Sequence, residues 1–365
     1  MTAPAAAPAA VLKFGGSGFR SPESYNELAD ALARRVDAEG PLVVVVSAMT
    51  GETEELRRRL HEVDPCPAEA TTAGLLTMAG TIGAHLLTAA LHRAGRRATV
   101  LAGHQLGIVT DSAYMRSRVK ENDPGPVLRA LAEHDMVVLP GGQAVDEHGR
   151  PTWLGENSSD LTALLVAAST GAERCEIHSD VDGIHSADPN VVEGTRLLPR
   201  VSYDTAATLA LYGAKVLHRR AVQLAKKHGI AIVCRLGKAP FTTGTVIDGE
   251  GGPVSGVIVD KRSVVLDHRT AAAADHAHSV YHAEGIGSVR LESGPYVAVI
   301  GGCPNLDQLH RRHDMPPARP IGIPVTELSG SSVTTHIAED ETAAEHLAQK
   351  LHENLPTTPG RLHSA

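Results

Sequence analysis

Lys13 lies inside an apolar stretch that breaks directly into a glycine turn, in the sequence V-L-K-F-G-G-S-G of residues 11–18. Glycine lets the backbone approach an anion closely, and the next segment has helical spacing, so its N-terminus adds positive charge. The candidate phosphate-binding residues are Lys13, Gly15, Gly16 and Ser17. The alternative is a strand-turn-helix joint that binds nothing, because the spacing matches neither common glycine-rich phosphate motif.

A second set of polar residues follows other apolar runs. The run L-V-V-V-V ends in Ser47 and continues to Thr50, and small polar residues open an apolar helix in G-E-N-S-S-D at 155–160. Helix capping accounts for Ser158 or Ser159 alone, but not for the whole run. Because ligands of open α/β sheets bind at the carboxyl ends of strands, we expect these segments to line one cleft.

Acidic residues follow a third apolar run in S-D-V-D-G at 179–183, with S-A-D-P at 186–189. Such carboxylates can orient nucleotide hydroxyls, an ammonium group or hydrated Mg²⁺, whereas the spacing also suits an Asx turn. Lys215, in G-A-K-V-L-H, is interpreted as a phosphate contact, the alternative being a solvated surface charge. Two lysines, two glycine turns and paired carboxylates together predict a phosphoryl-transfer site.

Short apolar runs alternate with longer segments of helical period. This pattern is typical of an α/β fold with a mostly parallel sheet and helices on both faces. The predicted strands are 10–14, 42–47, 98–101, 136–140, 174–179 and 230–235. The predicted helices are 23–38, 53–60, 73–94, 127–134, 159–170, 203–209 and 213–228.

The composition changes to D-G-E-G-G-P at 248–253, which predicts a linker and a domain boundary. Beyond it we predict strands at 254–266, 287–291, 296–300 and 333–338, a helix at 341–354 and an irregular segment at 303–324. This order predicts a small α+β domain of the ferredoxin-like type over 254–355. The remaining predicted regions are a catalytic domain at 11–248 and tails at 1–10 and 356–365.

The composition and net charge of the chain argue against some classes of function. The chain has 365 residues and a formal net charge of −8, which argues against a sequence-independent nucleic-acid binder and favours a small-molecule substrate. Its 4 cysteines are far apart, so we expect reduced thiols in a cytoplasmic protein and no cysteine metal site. The proline-containing start indicates a disordered tail rather than a signal peptide, and we expect no membrane partner.

Taken in order, these motifs resemble the amino-acid kinase family, and within it the aspartate kinases, over about residues 11–247. The matching segments are K-F-G-G-S at 13–17, V-V-V-V-S-A-M at 43–49, G-I-V-T-D at 107–111, C-E-I-H-S-D-V-D-G-I-H-S-A-D-P at 175–189, G-A-K-V-L-H at 213–218 and G-T-V-I at 244–247. The resemblance implies a three-layer amino-acid kinase fold. Residues 325–337 and the final helix are similar to the end of the family's paired ACT regulatory modules, the first module being eroded. Since ACT modules pair across subunits, we expect a homodimer.

The resemblance also implies ATP and Mg²⁺ as cofactors and assigns roles to residues. Lys13 would contact the transferred phosphoryl group, Asp160 would orient Lys13, and Lys215 would bind the ATP phosphates. The candidate nucleotide-binding residues are Gly15, Gly16, Ser17, Ser47, Ser179, Asp180, Asp182, Asp188 and Lys215. The candidate substrate-binding residues are Ser47, Thr50, Gly80, Glu156, Ser158 and Ser159.

Two of these positions depart from the family pattern. Glu156 stands where the family has an arginine that binds the substrate α-carboxylate, and Gly80 stands where it has a glutamate that binds the substrate amino group. Two facing carboxylates repel each other unless a proton or cation lies between them. Lys13, Asp160 and Lys215 therefore predict retained kinase chemistry, whereas Glu156 and Gly80 predict an altered acceptor.

We expect an ATP-dependent kinase that phosphorylates the carboxylate of a small amino acid or related acid. One alternative is an ordinary aspartate kinase in which aspartate binds in a shifted pose. Another is a non-catalytic regulator that binds nucleotide, and a third is transfer to a phosphate or phosphonate. We expect no metal site made of protein ligands.

Overall fold

The chain divides into two compact units, Met1–Ile184 with Leu217–Gly251 and His185–Val216 with Gly252–Ala365. The computed structural model describes residues 8, 10–214, 217–302 and 306–356. The predicted tails therefore lie mostly outside the described residues, and Lys215 lies outside them as well. The change of unit at Gly251 falls within the predicted linker, but the sequence did not indicate that 185–216 belongs with the C-terminal unit.

The helices and strands follow in chain order. The strands are β1 Val11–Phe14, β2 Leu42–Val46, β3 Ala98–Val100, β4 Ile108–Thr110, β5 Val119–Asn122, β6 Met136–Pro140, β7 Gln143–Asp146, β8 Pro151–Trp153, β9 Arg174–Ser179, β10 Arg200–Ser202, β11 Ala231–Leu236, β12 Thr243–Asp248, β13 Ser255–Val259, β14 Val264–Asp267, β15 Ser288–Arg290, β16 Tyr296–Val299, β17 Arg319–Ser329 and β18 Ser332–Ala338. The helices are α1 Pro22–Glu39, α2 Glu52–Val63, α3 Glu69–Arg93, α4 Gly125–Glu133, α5 Ser159–Thr170, α6 Tyr203–Leu211, α7 Arg219–His228, α8 Ala271–Ala283, α9 Leu306–Arg312 and α10 Glu341–Glu353.

The main sheet of the first unit has the strand order β12-β11-β9-β1-β2-β6-β3. Every pairing in this order is parallel except that of β11 with β12. Alternate side chains of a strand point to opposite faces. Leu12 and Phe14 pack in a core cluster with residues of α1 and α3, whereas Lys13 reaches Asp160 of α5. The predicted α/β fold with helices on both faces of the sheet is therefore confirmed.

The first unit also contains a smaller sheet that the sequence did not predict, with the strand order β5-β4-β7-β8. Its strands are three or four residues long, too short for alternation of apolar and polar residues to be recognised. The helix predicted at 213–228 also begins later, at Arg219. Within the first unit, α3 is long and apolar enough to cross a membrane, but 56% of its apolar window is buried, as in a core helix.

The second unit contains a complete βαββαβ arrangement, whereas the sequence predicted that the first of two such modules is eroded. Strands β14, β15, β16 and β17 form the order β17-β14-β16-β15, and α8 and α9 occupy the two helix positions. This is the ferredoxin-like connectivity. The single strand predicted at 254–266 is two strands, β13 and β14, and the predicted irregular segment contains α9 and the start of β17.

The C-terminal half of β17 serves a second, smaller group of elements. It pairs with β13 on one side and β18 on the other, and α10 packs against this group. Residues from 185–216 complete the core, because Ala187 and Val192 pack in the same cluster as Val257 and Val325. Val257 N also donates a hydrogen bond to Ser186 O at 2.7 Å, which explains why this segment belongs to the second unit.

Candidate active site

The carboxyl ends of β9, β1, β2 and β6 are connected directly by backbone hydrogen bonds. Gly15 N donates to His178 O at 3.0 Å, Ser47 N donates to Phe14 O at 3.1 Å, and Gly141 N donates to Val46 O at 2.8 Å. The segments that follow these strands therefore emerge side by side at one edge of the sheet. This is the edge at which open α/β sheets bind ligands.

An ion pair lies beneath this edge. Lys13 Nζ is 2.8 Å from Asp160 Oδ1, and the side chains are only 12% and 6% exposed. The other carboxylate oxygen, Oδ2, accepts a hydrogen bond from His218 N at 3.1 Å. Asp160 thus contacts the lysine of β1 from the first turn of α5 and holds the start of the 217–218 segment, while its role in catalysis stays a prediction. Burial in low dielectric makes such a pair costly to break by removing one partner.

The two glycines after β1 leave a space beside the ammonium group. A Cβ at Gly15 would lie 3.5 Å from Lys13 Nζ and 3.5 Å from His178 O. A Cβ at Gly16 would lie 2.8 Å from Ala48 O, closer than real contacts allow. Residues Gly16–Gly18 form a single 3-10 turn, and Thr50 Oγ1 donates to Gly16 O at 2.8 Å. A turn without bulky side chains beside a cation suits a phosphate group, so these residues fit the phosphates of ATP.

The serines of the site lie close together. Ser47 Oγ donates to Ser159 Oγ at 3.0 Å, which connects the end of β2 to the start of α5. Ser158 occupies the N-cap position of α5, as the capping alternative expected, but its buried hydroxyl donates to Gly155 O at 2.5 Å and makes no capping hydrogen bond. A Cβ at Gly141 would lie 2.9 Å from Ser159 Cα, so glycine is required where β6 passes the start of α5.

The acidic turn after β9 is partly ordered by its own hydrogen bonds. Ser179 Oγ donates to Val181 O at 2.9 Å, and Gly237 N donates to Ser179 O at 2.6 Å. Asp180 is exposed and Asp182 half-buried, and a Cβ at Gly244 would overlap Asp182 O. Asp188 belongs to the second unit, where its Oδ1 accepts a hydrogen bond from Asn190 N at 2.9 Å. The nucleotide-binding roles of these carboxylates, and of Lys215, stay predictions.

Buried charges support the strand that carries this turn. Glu176 is fully buried and receives both Nη atoms of Arg35, at 2.5 and 2.7 Å, and Arg235 Nε at 2.7 Å. Burial raises the pKa of Glu176, but hydrogen bonds from His178 and Arg35 and the arginine charges outweigh it, so the pKa lies below its usual range. Burial lowers the pKa of His178, whose ring stacks on Phe14 at 4.3 Å.

The rim of the site carries a charge pair that the sequence reading did not identify. Arg57 Nη2 of α2 lies 3.3 Å from Glu156 Oε1, and the guanidinium carbon lies 5.8 Å from the centre of the Trp153 ring. Glu156 is held in a loop with positive φ at Gly155 (112°) and Asn157 (55°). Trp153 is the only tryptophan in the sequence and directly precedes the L-G-E-N-S-S-D motif, so the sequence could have identified it as a candidate site residue. Arg57 is one of three consecutive arginines, and nothing in the sequence distinguishes it from the other two.

Gly80 faces the end of β6, and another side chain occupies the space beside it. A Cβ at Gly80 would lie 3.1 Å from Gln143 Nε2 and 3.4 Å from Pro140 Cβ. Gln143 is 4% exposed and its amide donates to Thr77 O and, at 3.1 Å, to Thr81 Oγ1. Gln143 was not predicted as a site residue, because its neighbours in the sequence do not indicate that it contacts α3.

The described residues contain no group of three or more His, Cys, Asp or Glu side chains that could hold a metal ion. The carboxylates after β9 are oxygen ligands of the kind that Mg²⁺ prefers, and Mg²⁺ in kinase sites is held by one or two carboxylates together with substrate phosphates. The oxygen atoms of Asp180 and Asp182 are thus chemically suited to a Mg²⁺ ion held mainly by the phosphates of ATP, rather than to a metal site made of protein ligands alone.

Comparisons with known proteins give a consistent result for family and fold. The model of the amino acid kinase family matches residues 8–235. The aspartokinase of Bacillus sp. (strain MGA3) is 36% identical over 240 residues, which is 66% of this chain and 58% of that protein. The aspartate kinase of Pseudomonas putida is 35% identical over 222 residues, 61% of this chain and 54% of that protein. The chain thus spans a little more than half the length of these relatives. The structure of E. coli aspartokinase III in complex with aspartate and ADP matches with a TM-score of 0.73 at 19% identity, covering 95% of this chain and 99% of that chain, which shows a shared fold.

Proposed function

Because this chain belongs to the amino acid kinase family, we propose that it transfers the γ-phosphoryl group of ATP to a carboxylate of a small amino acid. The observation that carries the proposal is the buried pair of Lys13 and Asp160 at the meeting point of four strand ends, beside two glycines whose missing side chains leave room for phosphates. No protein nucleophile or proton-transfer group is required, because positioning and charge neutralisation supply most of the catalysis in this chemistry.

The proposed step is an in-line displacement. A carboxylate oxygen of the acceptor forms a bond to the γ-phosphorus, the bond to the β-γ bridging oxygen breaks, and ADP leaves with the electron pair, so the product is an acyl phosphate. Lys13 neutralises the charge on the transferred group, and Asp160 keeps its ammonium group in place. Ser47 and Ser159 lie where they can hold the accepting carboxylate.

Aspartate is the first acceptor to test, since the curated relatives are aspartokinases. Two features favour an aspartate-related acid as well: Glu156 at the rim and Gln143 in the space beside Gly80. The proposal includes Mg²⁺ with ATP, a cytoplasmic location, and a homodimer supported by the ferredoxin-like arrangement of the second unit.

The test uses the purified full chain with ATP, Mg²⁺ and hydroxylamine, screened over aspartate, glutamate and related acids. We expect at least one acid to give a hydroxamate together with one ADP per product. Phosphorus NMR of the reaction without hydroxylamine separates an acyl phosphate from a product of transfer to phosphate or phosphonate. Nucleotide binding without turnover of any acid would contradict the proposal and support a non-catalytic regulator.

A further inference from the structure

One buried hydroxyl group of the first unit has no hydrogen-bond partner among the described residues. Tyr25 of α1 is 2% exposed and its ring stacks on Phe19 at 4.5 Å, but its hydroxyl oxygen makes no hydrogen bond there. Burial, with a smaller contribution from the charge of Glu52, raises the pKa of Tyr25 to about 12, so the hydroxyl keeps its proton at neutral pH. A buried donor without an acceptor is costly, which indicates that a further group pairs with it.

The hydroxyl of Tyr25 lies beside a glycine in the interior of α3. A Cβ at Gly83 would lie 3.2 Å from the Tyr25 hydroxyl oxygen and 3.2 Å from Ser47 O, both closer than is usual for a Cβ. Gly83 is buried, and glycine is less favourable than alanine inside a helix, so this close approach accounts for the residue better than helix formation does. The side chain that Gly83 lacks leaves a polar space between α1, α3 and the end of β2.

The carbonyl group in this space belongs to a residue of the candidate site. Ser47 N donates a hydrogen bond to Phe14 O at 3.1 Å, and the Ser47 hydroxyl donates to Ser159 Oγ at 3.0 Å. The amide and the side chain of Ser47 are therefore held by β1 and α5. Its carbonyl oxygen is the third polar group and faces the space beside Gly83.

One water molecule has the right size and polarity to connect Tyr25 with Ser47. The two oxygens do not hydrogen-bond to each other directly. Because each lies 3.2 Å from the same point, they are at most twice that distance apart, and two hydrogen bonds through one water span up to about 5.6 Å. Buried waters are retained where a polar space offers at least two hydrogen-bonding groups. Here the hydroxyl is a donor and the carbonyl is an acceptor, so a water can accept from one and donate to the other.

We propose that a buried water molecule beside Gly83 accepts a hydrogen bond from the Tyr25 hydroxyl and donates one to Ser47 O. Tyr25 and Gly83 are then positioning residues, because they fix the end of β2 and keep the Ser47 hydroxyl against Ser159, where the accepting carboxylate is held. This kinetic role rests on the proposed function, whereas the water site itself does not.

Tyr25→Phe tests the water site by the sign of its effect on stability. Removing a hydroxyl that is truly unpaired leaves the urea midpoint of unfolding unchanged or raises it, because a desolvated polar group disappears. Removing a hydroxyl that holds a water lowers the midpoint, because the water and the Ser47 carbonyl lose their link to α1. We expect a lower midpoint for Tyr25→Phe. The matched control is Tyr296→Phe on β16 of the second unit, which should leave the midpoint unchanged.

Two substitutions at Gly83 test the positioning role, because they add the same Cβ and differ by one hydroxyl. Gly83→Ala fills the space with a methyl group and should lower kcat/KM for the acceptor about tenfold, the loss expected for one hydrogen bond. Gly83→Ser brings a hydroxyl that can replace the water and should be at least about threefold more active than Gly83→Ala. KM for ATP should change less than about twofold, since Ser47 is proposed to hold the acceptor. Gly74→Ala in the same helix is the control, because its Cβ would meet nothing within 4 Å.

A high-resolution crystal structure of the wild-type chain gives the direct test. Density for a water within hydrogen-bond distance of both oxygens supports the proposal, and a direct hydrogen bond between them or an empty space overturns it. An unchanged or raised urea midpoint in Tyr25→Phe also overturns the water site, and equal kcat/KM in Gly83→Ala and Gly74→Ala overturns the positioning role. If the wild-type chain phosphorylates no acceptor, the crystal structure and the urea midpoints still decide the water site, and only the proposed function fails.

Discussion

The two ends of the candidate site differ in burial and in agreement with the sequence pattern. The phosphoryl end, Lys13, Gly15, Gly16 and Asp160, is built on the end of β1 and the first turn of α5 and holds a nearly buried ion pair. The acceptor end, Arg57, Gly80, Trp153 and Glu156, lies on two helices, a strand end and a loop, and its charge pair is much more exposed. Buried charges tolerate little change because each needs its partner, whereas exposed pairs contribute little to stability and are free to vary.

The largest effect that separates the two ends is expected at Lys13. Lys13→Met should lower kcat by about 10²–10³-fold, because it removes a fixed cation from the phosphoryl end. The matched control is Lys120→Met, since Lys120 is 49% exposed in a pair with Glu147 and lies in the smaller sheet. Steady-state kinetics measures the change, with circular dichroism to show that the variant is folded. Turnover within tenfold of the wild type would contradict the role of Lys13.

The next effect tests how tightly the phosphoryl end is packed. Gly141→Ala should lower the free energy of unfolding by about 1–3 kcal/mol, because the new Cβ would overlap Ser159 and force β6 and α5 apart. Gly74→Ala on α3 is the control, since its Cβ would meet nothing within 4 Å, and alanine in a helix is more stable than glycine by about 1 kcal/mol. Urea unfolding gives both values. Equal stabilities for the two variants would disprove this packing.

A smaller effect is expected when the family's residue is restored at the acceptor end. Gly80→Glu should lower the free energy of unfolding by about 1–2 kcal/mol, because its Cβ would press on the Gln143 amide at 3.1 Å. Gly80→Glu combined with Gln143→Ala should be less destabilised than the sum of the single changes, since the second change makes room for the first. A double-mutant cycle measures this coupling, and additive losses would show that Gln143 does not fill the space.

The smallest expected effect is on the pH dependence of stability, which depends on buried titratable residues of β9. Because burial lowers the pKa of His178 in the folded state, stability is fully present above about pH 6.5 and decreases as the pH falls through the folded-state pKa. His178→Phe should keep the ring stack on Phe14 and flatten the pH dependence of the unfolding free energy just below pH 6.5. The decrease below about pH 4.3, where Glu176 becomes protonated in the unfolded chain, should remain because its pKa is also lowered on folding.

The control for this prediction is His61→Phe, at an exposed position on α2, which removes a histidine without touching the buried charges around β9. The measurement is denaturant unfolding at a series of pH values between 4 and 8. An unchanged slope in His178→Phe would show that His178 does not contribute to acid sensitivity.

The sequence by itself determined the parallel strands of the main sheet, though not its antiparallel edge strand β12, and grouped most of the phosphoryl end of the site. Continuous apolar runs identify buried parallel strands, and the residues directly after them meet at one edge because parallel strands all end on the same side. Lys13, Ser47 and Ser179 could therefore be grouped from the sequence alone, whereas the pairing of Asp160 with Lys13 was implied by the resemblance to the amino-acid kinase family.

Only the tertiary structure decided the acceptor end and the architecture of the second unit. Three consecutive arginines look alike in sequence, and the phase of α2 selects Arg57 to reach Glu156. Helix α8 buries mainly small alanines, and β17 contains Pro320 and Pro324, so neither shows a clear apolar period. Strand β17 is defined by its pairing with β13, β14 and β18. These partners are distant in the sequence, so the residues next to β17 do not reveal it.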